Sequence, residues 1–460
     1  MTQHQTGLVP YGPTPSARQQ AWHEREFYGF LHFSVNTFTD REWGYGDESP
    51  DTFNPSAFDA TQIVDTALRG GMRGLILTAK HHDGFCLWPS AYSTHTVAQS
   101  RWQNGQGDVV GALASACAAA GMPFGIYLSP WDRNHAAYGR PAYITYYRNQ
   151  LRELLTNYGP LFEIWFDGAN GGDGFYGGTH EVRKIDATTY YDWEETFNLV
   201  RELQPHACIF SDAGPDVRWV GNEHGIAGDP CWPTIDPTGL HPGLAEPALL
   251  NRGDRTGTAW LPAECDVSIR PGWFYHAHED DLVRTPANLM ELYLASVGRG
   301  ANLLVNLPVA PTGQVHARDR AALLGFAAAR ERLYAQPLTP SLLRASSTLP
   351  GFPAVHTADD TQTYWVAAAE DSEPSLTLIF AQPQHIGLID IREYLPLGQR
   401  IDGWAIDIQT GTEWHEVAVG ASIGNRRLVQ LSAVQAHGVR LRVTGLPVPP
   451  AVRTMRIYCA

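Results

Sequence analysis

The chain has 460 residues, which is more than one hydrophobic core usually supports, so we expect two domains. Its formal net charge of −15 argues against nucleic acid or an anionic membrane surface as the main partner, and a neutral ligand fits better.

The first 335 residues alternate strand-like and helix-like segments. The predicted strands are 27–34, 73–80, 123–129, 161–167, 207–212, 219–223, 265–269 and 301–308. The predicted helices between or after them are 60–70, 108–121, 143–159, 193–203, 288–298 and 318–334. Apolar strands separated by amphipathic helices indicate a parallel sheet covered by helices. Because there are about eight such units, we predict a closed (β/α)8, TIM-like barrel in residues 1–335 rather than an open sheet.

The pattern changes near Pro337, after which short alternating runs are separated by turn residues. This pattern is typical of an antiparallel β-sandwich. We therefore predict a second domain in residues 345–460, joined through a linker at 336–348. Its tryptophans fall within strand patterns, so we expect this domain to be mainly structural, with a sugar-binding role as the alternative.

The six cysteines are scattered and form no C-x-x-C pair, which argues against a structural zinc site. The first twenty residues lack the charged and apolar regions of a signal peptide, and no transmembrane run is present. We expect a cytoplasmic protein as written, or a periplasmic or secreted one if a leader was removed. The oligomeric state stays open.

Polar and aromatic side chains follow the predicted barrel strands, where active sites of such barrels lie. They are His32, Lys80, His81, His82, Asp83, Tyr127, Trp131, Asp132, Trp165, Asp167, Asp212, Glu223, Arg270, Trp273 and Asn306. Carboxylates surrounded by indoles suggest glycoside cleavage, which needs one carboxylate as nucleophile or base and one carboxylic acid as proton donor.

A metal site at His81 and His82 is the less favoured interpretation. Neighbouring residues on a strand point to opposite sides, and no third and fourth ligand with zinc spacing is visible. We predict no metal and no organic cofactor, with a metal-dependent barrel hydrolase as an alternative.

Six motifs occur in order along residues 22–310: HFSVNTFTDREWGYG, AKHHDGFCLWPS, YLSPWDRN, EIWFDGANGG, SDAGPDVRWVGNE and DVSIRPGWFYH. Together they resemble glycoside hydrolase family 29, the α-L-fucosidases. The WVGNE and SIRPGWFYH blocks resemble the subfamily that prefers α-1,3/1,4-linked fucose. The resemblance implies a retaining exo-α-L-fucosidase that releases terminal fucose from branched oligosaccharides or glycoconjugates by double displacement.

The resemblance also implies residue roles. Asp167 matches the nucleophile and Glu223 the acid/base, with Glu264 as the alternative acid/base. We expect the two catalytic carboxyl groups to lie about 5–5.5 Å apart, as in retaining enzymes. The positions that match substrate-binding residues are His32, Glu42, Trp43, His81, His82, Tyr127, Trp165, Arg270 and Trp273. Two alternatives remain: a glycosidase of the same fold that acts on another terminal sugar or linkage, and an inactive fucose-binding barrel.

Overall fold

The computed structural model describes residues 8–357 and 362–460 of the chain. In this part of the chain, eight parallel strands close into a barrel in which each strand pairs with its neighbours in sequence and the last pairs with the first. The barrel strands are Phe27–Leu31, Leu75–Lys80, Phe124–Leu128, Leu161–Trp165, Cys208–Ser211, Val217–Trp219, Ala263–Ser268 and Asn302–Asn306. Nearly all their residues are buried, as expected when helices cover the outside and side chains fill the inside. The predicted barrel is confirmed.

Helices surround the barrel and begin at recognisable sequence signals. The carboxylates of Asp59 and Asp108 accept hydrogen bonds from the backbone N–H groups of Gln62 and Gly111, which caps two of these helices. The helices are Ala17–His23, Val35–Thr39, Ala60–Arg69, Val109–Ala119, Pro141–Asn157, Trp193–Leu203, Pro247–Arg252, Pro286–Ser296 and Ala317–Leu333. Among the described residues we find no helix that is both long and apolar enough to cross a membrane.

The barrel departs from the predicted repeat between its fifth and sixth strands. These strands pair in parallel, Phe210 with Val217 and Ser211 with Arg218, and five residues without a helix connect them. The sixth strand ends at Trp219, so the predicted strand at 219–223 is wrong in its bounds. Glu223 consequently lies on the loop that follows this strand. Two small antiparallel pairs extend from the loops of this side, Gly172–Gly174 with Glu181–Arg183 and Thr234–Ile235 with Ala259–Trp260.

An antiparallel sheet domain follows the barrel, as predicted. In its described residues, 342–357 and 362–460, the seven strands are Leu342–Ala345, Trp365–Val366, Ser375–Glu393, Gly403–Thr410, Glu413–Gly420, Arg427–Gly445 and Ala451–Cys459. Bulges interrupt the pairing of its two long strands, and residues from both ends of 375–393 enter the same core. The sheet therefore folds over a single core. Its first strand lies inside the segment that we predicted as the linker.

A buried ion network joins the sheet domain to the barrel. Arg426 of the sheet domain donates to Glu26 Oε2 at 2.8 Å, just before the first barrel strand, and to Asp390 Oδ2 at 2.7 Å. Arg392 donates to the other oxygen of Glu26 at 2.6 Å. These side chains are mostly buried. Burial alone would raise the pKa of Glu26, but the charges of Arg392 and Arg426 outweigh it and lower this pKa to about 2. The Glu26 carboxylate therefore joins the two domains through ion pairs with Arg392 and Arg426.

Candidate active site

A small cavity opens at the carboxyl ends of the barrel strands. Its volume is about 120 Å³, a size suited to one sugar ring rather than a chain. Nine of the eleven residues predicted for the site line it: His32, Trp43, His81, His82, Tyr127, Trp165, Asp167, Glu223 and Trp273. Phe30, Ala169 and Asp266 complete the lining. The aromatic floor contains Phe30, Tyr127 and Trp165, whose rings contact one another.

Asp167 lies two residues beyond the fourth barrel strand, which ends at Trp165. Its Oδ2 accepts a hydrogen bond from the Tyr127 hydroxyl at 3.2 Å, and its Oδ1 accepts one from the backbone N–H of Ala169 at 2.5 Å. Burial raises the pKa of Asp167, and these two donors oppose that rise because they stabilise the carboxylate. The side chain keeps 25% of its surface exposed. The result is an oriented carboxylate that remains accessible from the cavity.

His32 has its tautomer fixed by a neighbouring amide. Its Nδ1 lies 2.8 Å from Asn306 Oδ1, and the Asn306 amide nitrogen donates to Ser268 Oγ and to the backbone oxygen of Trp273. Because Asn306 uses its N–H groups elsewhere, its oxygen accepts and His32 Nδ1 carries the proton. Burial lowers the pKa of His32 to about 3, so the ring is neutral near pH 7. Its Nε2 is thus a hydrogen-bond acceptor.

His82 is arranged in the same way. The Ser129 hydroxyl donates to the backbone oxygen of Trp131 at 2.7 Å and accepts from His82 Nδ1 at 2.7 Å. Burial and the charge of Arg133 lower the pKa of His82 to about 3. Its unprotonated Nε2 lies 4.0 Å from Asp167 Oδ2. Nε2 of the neutral ring can therefore accept a hydrogen bond from a ligand hydroxyl beside the nucleophile candidate.

His81 and Trp43 line the cavity next to His32 and His82, and we call the three histidines the histidine wall. The buried His81 ring lies 4.1 Å from the ring of His82, and its Nδ1 has no hydrogen-bond partner in the described chain. Trp43 lies at the rim with 53% of its surface exposed, and its indole packs edge-on against Trp131 and His82. This side of the cavity thus combines polar ring nitrogens with an exposed aromatic surface.

Glu223 stands at the mouth of the cavity on the loop after the sixth strand. Its Oε2 accepts a hydrogen bond from Trp273 Nε1 at 3.3 Å, and the residue is exposed. Partial burial and the nearby charge of Asp167 raise the pKa of Glu223, although the Trp273 hydrogen bond lowers it. The protonated form of Glu223 therefore persists to higher pH than that of an ordinary glutamic acid.

Glu42 does not line the cavity, although it belongs to the predicted site. Its carboxylate accepts hydrogen bonds from the backbone N–H groups of Trp273 at 2.8 Å and Phe274 at 3.1 Å. The ring of His276 bridges Glu42 and Asp40, at 2.7 and 2.5 Å. Glu42 therefore holds the loop that presents Trp273 to the cavity.

Arg270 is placed outside the cavity, so it does not fit the predicted substrate-binding position. Its guanidinium is fully buried and donates to both oxygens of Asp319, at 3.0 and 2.8 Å, and to Asp280 at 2.9 Å. These bonds attach the loop after the seventh strand to the helix Ala317–Leu333. The physical reason is charge pairing, since a buried guanidinium needs carboxylate partners.

Glu264, the alternative acid/base, lies beneath the cavity floor. It is fully buried, it accepts from Trp165 Nε1 at 2.7 Å, and it contacts the hydroxyl of Tyr28. Burial raises its pKa, and Glu163 is a direct neighbour. Glu264 therefore supports the indole of Trp165 and does not reach a ligand in the cavity.

Asp266 is a titratable lining residue that sequence reasoning missed. It is 3% exposed, and its Oδ1 accepts from Trp219 Nε1 at 2.8 Å. The sequence contains a signal for this position. Side chains alternate along a strand, so Asp266, two residues after Glu264, points to the same face of the barrel as Glu264.

One group of possible metal ligands occurs within residues 8–357 and 362–460, and it is not His81 with His82. It consists of Asp40, His276 and His278, whose ligand atoms lie within 4.8 Å of one another. Both ring nitrogens of His276 already contact carboxylates. This group contacts Glu42 through His276 and contributes no residue to the cavity lining.

Comparison with known proteins assigns this architecture to a family. Residues 10–328 match the family model described as alpha-L-fucosidase. The chain is 40% identical to alpha-L-fucosidase 1 of Arabidopsis thaliana over 98% of this chain and 88% of that protein. A glycoside hydrolase 29 family member from an unknown rumen bacterium is 41% identical, with a TM-score of 0.87 over 98% of this chain and 78% of the other. A GH29 fucosidase of Ruminococcus gnavus in complex with fucose is 27% identical, with a TM-score of 0.88 over 99% and 97%. The chain therefore belongs to glycoside hydrolase family 29 and is a retaining α-L-fucosidase.

Proposed function

We propose that Asp167 is the nucleophile and Glu223 the acid/base of this fucosidase. The observation that carries the proposal is that both carboxyl groups line one cavity sized for a single sugar ring. The environment of each suits its role. Asp167 is oriented by donors that favour its ionised form, whereas the raised pKa of Glu223 favours the protonated form needed for the first step.

The reaction then proceeds by double displacement. Asp167 attacks C1 of the terminal fucose while Glu223 gives its proton to the departing glycosidic oxygen, and the C1–O bond breaks. The ionised Glu223 next takes a proton from water, whose oxygen attacks C1 and releases Asp167. Two inversions leave the anomeric configuration unchanged.

We further propose that the histidine wall binds the hydroxyl groups of fucose and that the aromatic residues contact its apolar face. Nε2 of His32 and of His82 are acceptors for hydroxyl hydrogens. Trp273 is half-buried beside His32, with the ring centroids 5.2 Å apart, and offers a surface for the C5-methyl group. The Ruminococcus gnavus relative contains fucose in its structure.

The preferred linkage that we propose is α-1,3/1,4 in branched oligosaccharides. The resemblance of the WVGNE and SIRPGWFYH blocks to that subfamily supports this preference. The contact between Glu223 of the first block and Trp273 of the second, at the exposed mouth, supports it as well. In this arrangement Glu223 lies at the cavity mouth, beside the position that the sugar attached to fucose would occupy.

Two measurements test the proposal. A 2-fluorinated fucosyl fluoride slows breakdown of the covalent intermediate, and mass spectrometry of the digested protein should then find the label on the peptide that contains Asp167. A label on another carboxylate rejects the nucleophile. Release of fucose from a Lewis-type trisaccharide should be faster than from 2′-fucosyllactose, and the reverse order rejects the linkage.

A further inference from the structure

The cavity contains a third carboxyl group, that of Asp266, which the double-displacement mechanism leaves without a role. Such a mechanism needs two carboxyl groups, and Asp167 and Glu223 supply them. Asp266 is on the seventh strand, between the inward-facing Glu264 and the buried Ser268, and it lines the cavity together with the two proposed catalytic residues. Burying an additional acidic group in a ligand cavity is costly, so its presence calls for a function.

One of its two oxygens accepts a hydrogen bond from another side chain of the described chain. Oδ1 accepts from the Trp219 indole, and no other side chain of the described residues donates to Oδ2. Trp219 itself is not part of the cavity lining. The bond to Trp219 fixes the orientation of the carboxyl group, and its second oxygen remains for a ligand.

The protonation state of Asp266 follows from its surroundings. Burial raises its pKa well above the ordinary value, and the charges of Glu223 and Glu264 raise it further. The Trp219 hydrogen bond opposes this rise. Asp266 is 3% exposed and has no cationic partner among the described residues, so its burial favours the neutral carboxylic acid, which can donate a hydrogen bond through its O–H group.

Two ring nitrogens of the cavity are acceptors for a sugar. Nε2 of His32 and of His82 are unprotonated, and the Trp273 indole N–H is directed to Glu223. A sugar hydroxyl that gives its hydrogen to an imidazole still has an oxygen that needs a donor. Asp266 is a buried group in the same cavity that can be this donor.

We propose that Asp266 is a sugar-binding residue that donates a hydrogen bond from its carboxylic acid to an oxygen of the fucosyl ring. This inference rests on the proposed placement of fucose in the cavity. The proposal predicts that Asp266 acts through a hydrogen-bond donor group and that its negative charge is not required.

The test compares Asp266→Ala with Asp266→Asn, because asparagine keeps both an oxygen for Trp219 and an N–H donor for the sugar. We expect Asp266→Ala to lower kcat/KM for nitrophenyl α-L-fucoside at least tenfold and to weaken L-fucose binding in calorimetry by a similar factor. Asp266→Asn should be at least tenfold better than Asp266→Ala in both measurements. Trp219→Phe removes the indole donor that orients the carboxyl group but leaves Asp266 in the cavity, so its losses should be smaller than those of Asp266→Ala in both measurements.

Three outcomes overturn the proposal: Asp266→Ala within threefold of wild type, equal losses in Asp266→Asn and Asp266→Ala, or a Trp219→Phe variant that reproduces Asp266→Ala. The second would show that the carboxyl group itself is required, and the third that Asp266 only positions Trp219. Thermal unfolding of each variant verifies the fold. Failure of the proposed catalytic roles is seen separately, in the labelling of Asp167, which does not involve Asp266.

Discussion

Replacing Glu42 with alanine removes the carboxylate that holds the backbone of Trp273 and Phe274. A hydrogen bond to a charged group contributes about 1.5–3 kcal/mol. The Glu42 side chain is 39% exposed, so the lower end of this range applies. Two such bonds amount to about 3 kcal/mol, and a loss of this size in transition-state binding corresponds to roughly a hundredfold in kcat/KM. We expect Glu42→Ala to lose about that factor because Trp273 is no longer held at the cavity.

A double-mutant cycle separates positioning from direct contact with the sugar. If Glu42 acts through Trp273, then Glu42→Ala should have little further effect in a Trp273→Ala background. Glu42→Gln keeps an oxygen acceptor of similar size and should retain more activity than Glu42→Ala. The assay is kcat/KM for an aryl α-L-fucoside, with thermal unfolding as the control for folding. Additive losses in the double variant would refute the reasoning, because they would mean that Glu42 contacts the substrate independently of Trp273.

Two further predictions concern pH and domain docking. Burial raises the pKa values of both Asp167 and Glu223, so activity should fall at low pH as Asp167 is protonated and at high pH as Glu223 ionises. The alkaline fall should be steep for a natural oligosaccharide and weak for an aryl fucoside whose leaving group needs no acid, and identical profiles would contradict the assignment. Arg426→Met should destabilise the protein by about 3 kcal/mol, since it leaves Glu26 and Asp390 short of a buried partner. The exposed pair of Arg318 with Asp281 is the matched control, and Arg318→Met should lower the free energy of unfolding by less than about 1 kcal/mol. Equal unfolding midpoints of the two variants in denaturant would contradict a larger contribution from the interdomain ion pair.

Much of the site could be predicted from the sequence because of barrel geometry. Residues that follow parallel barrel strands converge on one rim, so His32, His81, Tyr127 and Asp167 come together although they are far apart in the chain. The eight strands were visible as apolar runs for a related reason, because they are covered on both faces.

The remaining site residues depend on contacts that have no local signature. Arg270 also follows a barrel strand, but its partner Asp319 is 49 residues away on a helix, so the side chain turns away from the cavity. Glu42 acts by accepting a hydrogen bond from the backbone N–H of Trp273, which is 231 residues away in the chain. Asp266 was within reach of sequence reasoning, because the alternation along its strand places it above Glu264 on the same face.

Chemical rescue by azide tests most directly whether Asp167 and Glu223 divide the two carboxyl roles. In Asp167→Gly, azide can enter from the face that the carboxylate occupied, and an activated donor should give the inverted β-fucosyl azide. In Glu223→Gly, the fucosyl-enzyme still forms from a substrate with a good leaving group and stalls for lack of a base. Azide needs no base, so it should intercept that intermediate and give the retained α-fucosyl azide, which NMR distinguishes from the β anomer. Substantial unaided turnover by Asp167→Gly, or the same azide anomer from both variants, would contradict the assignment.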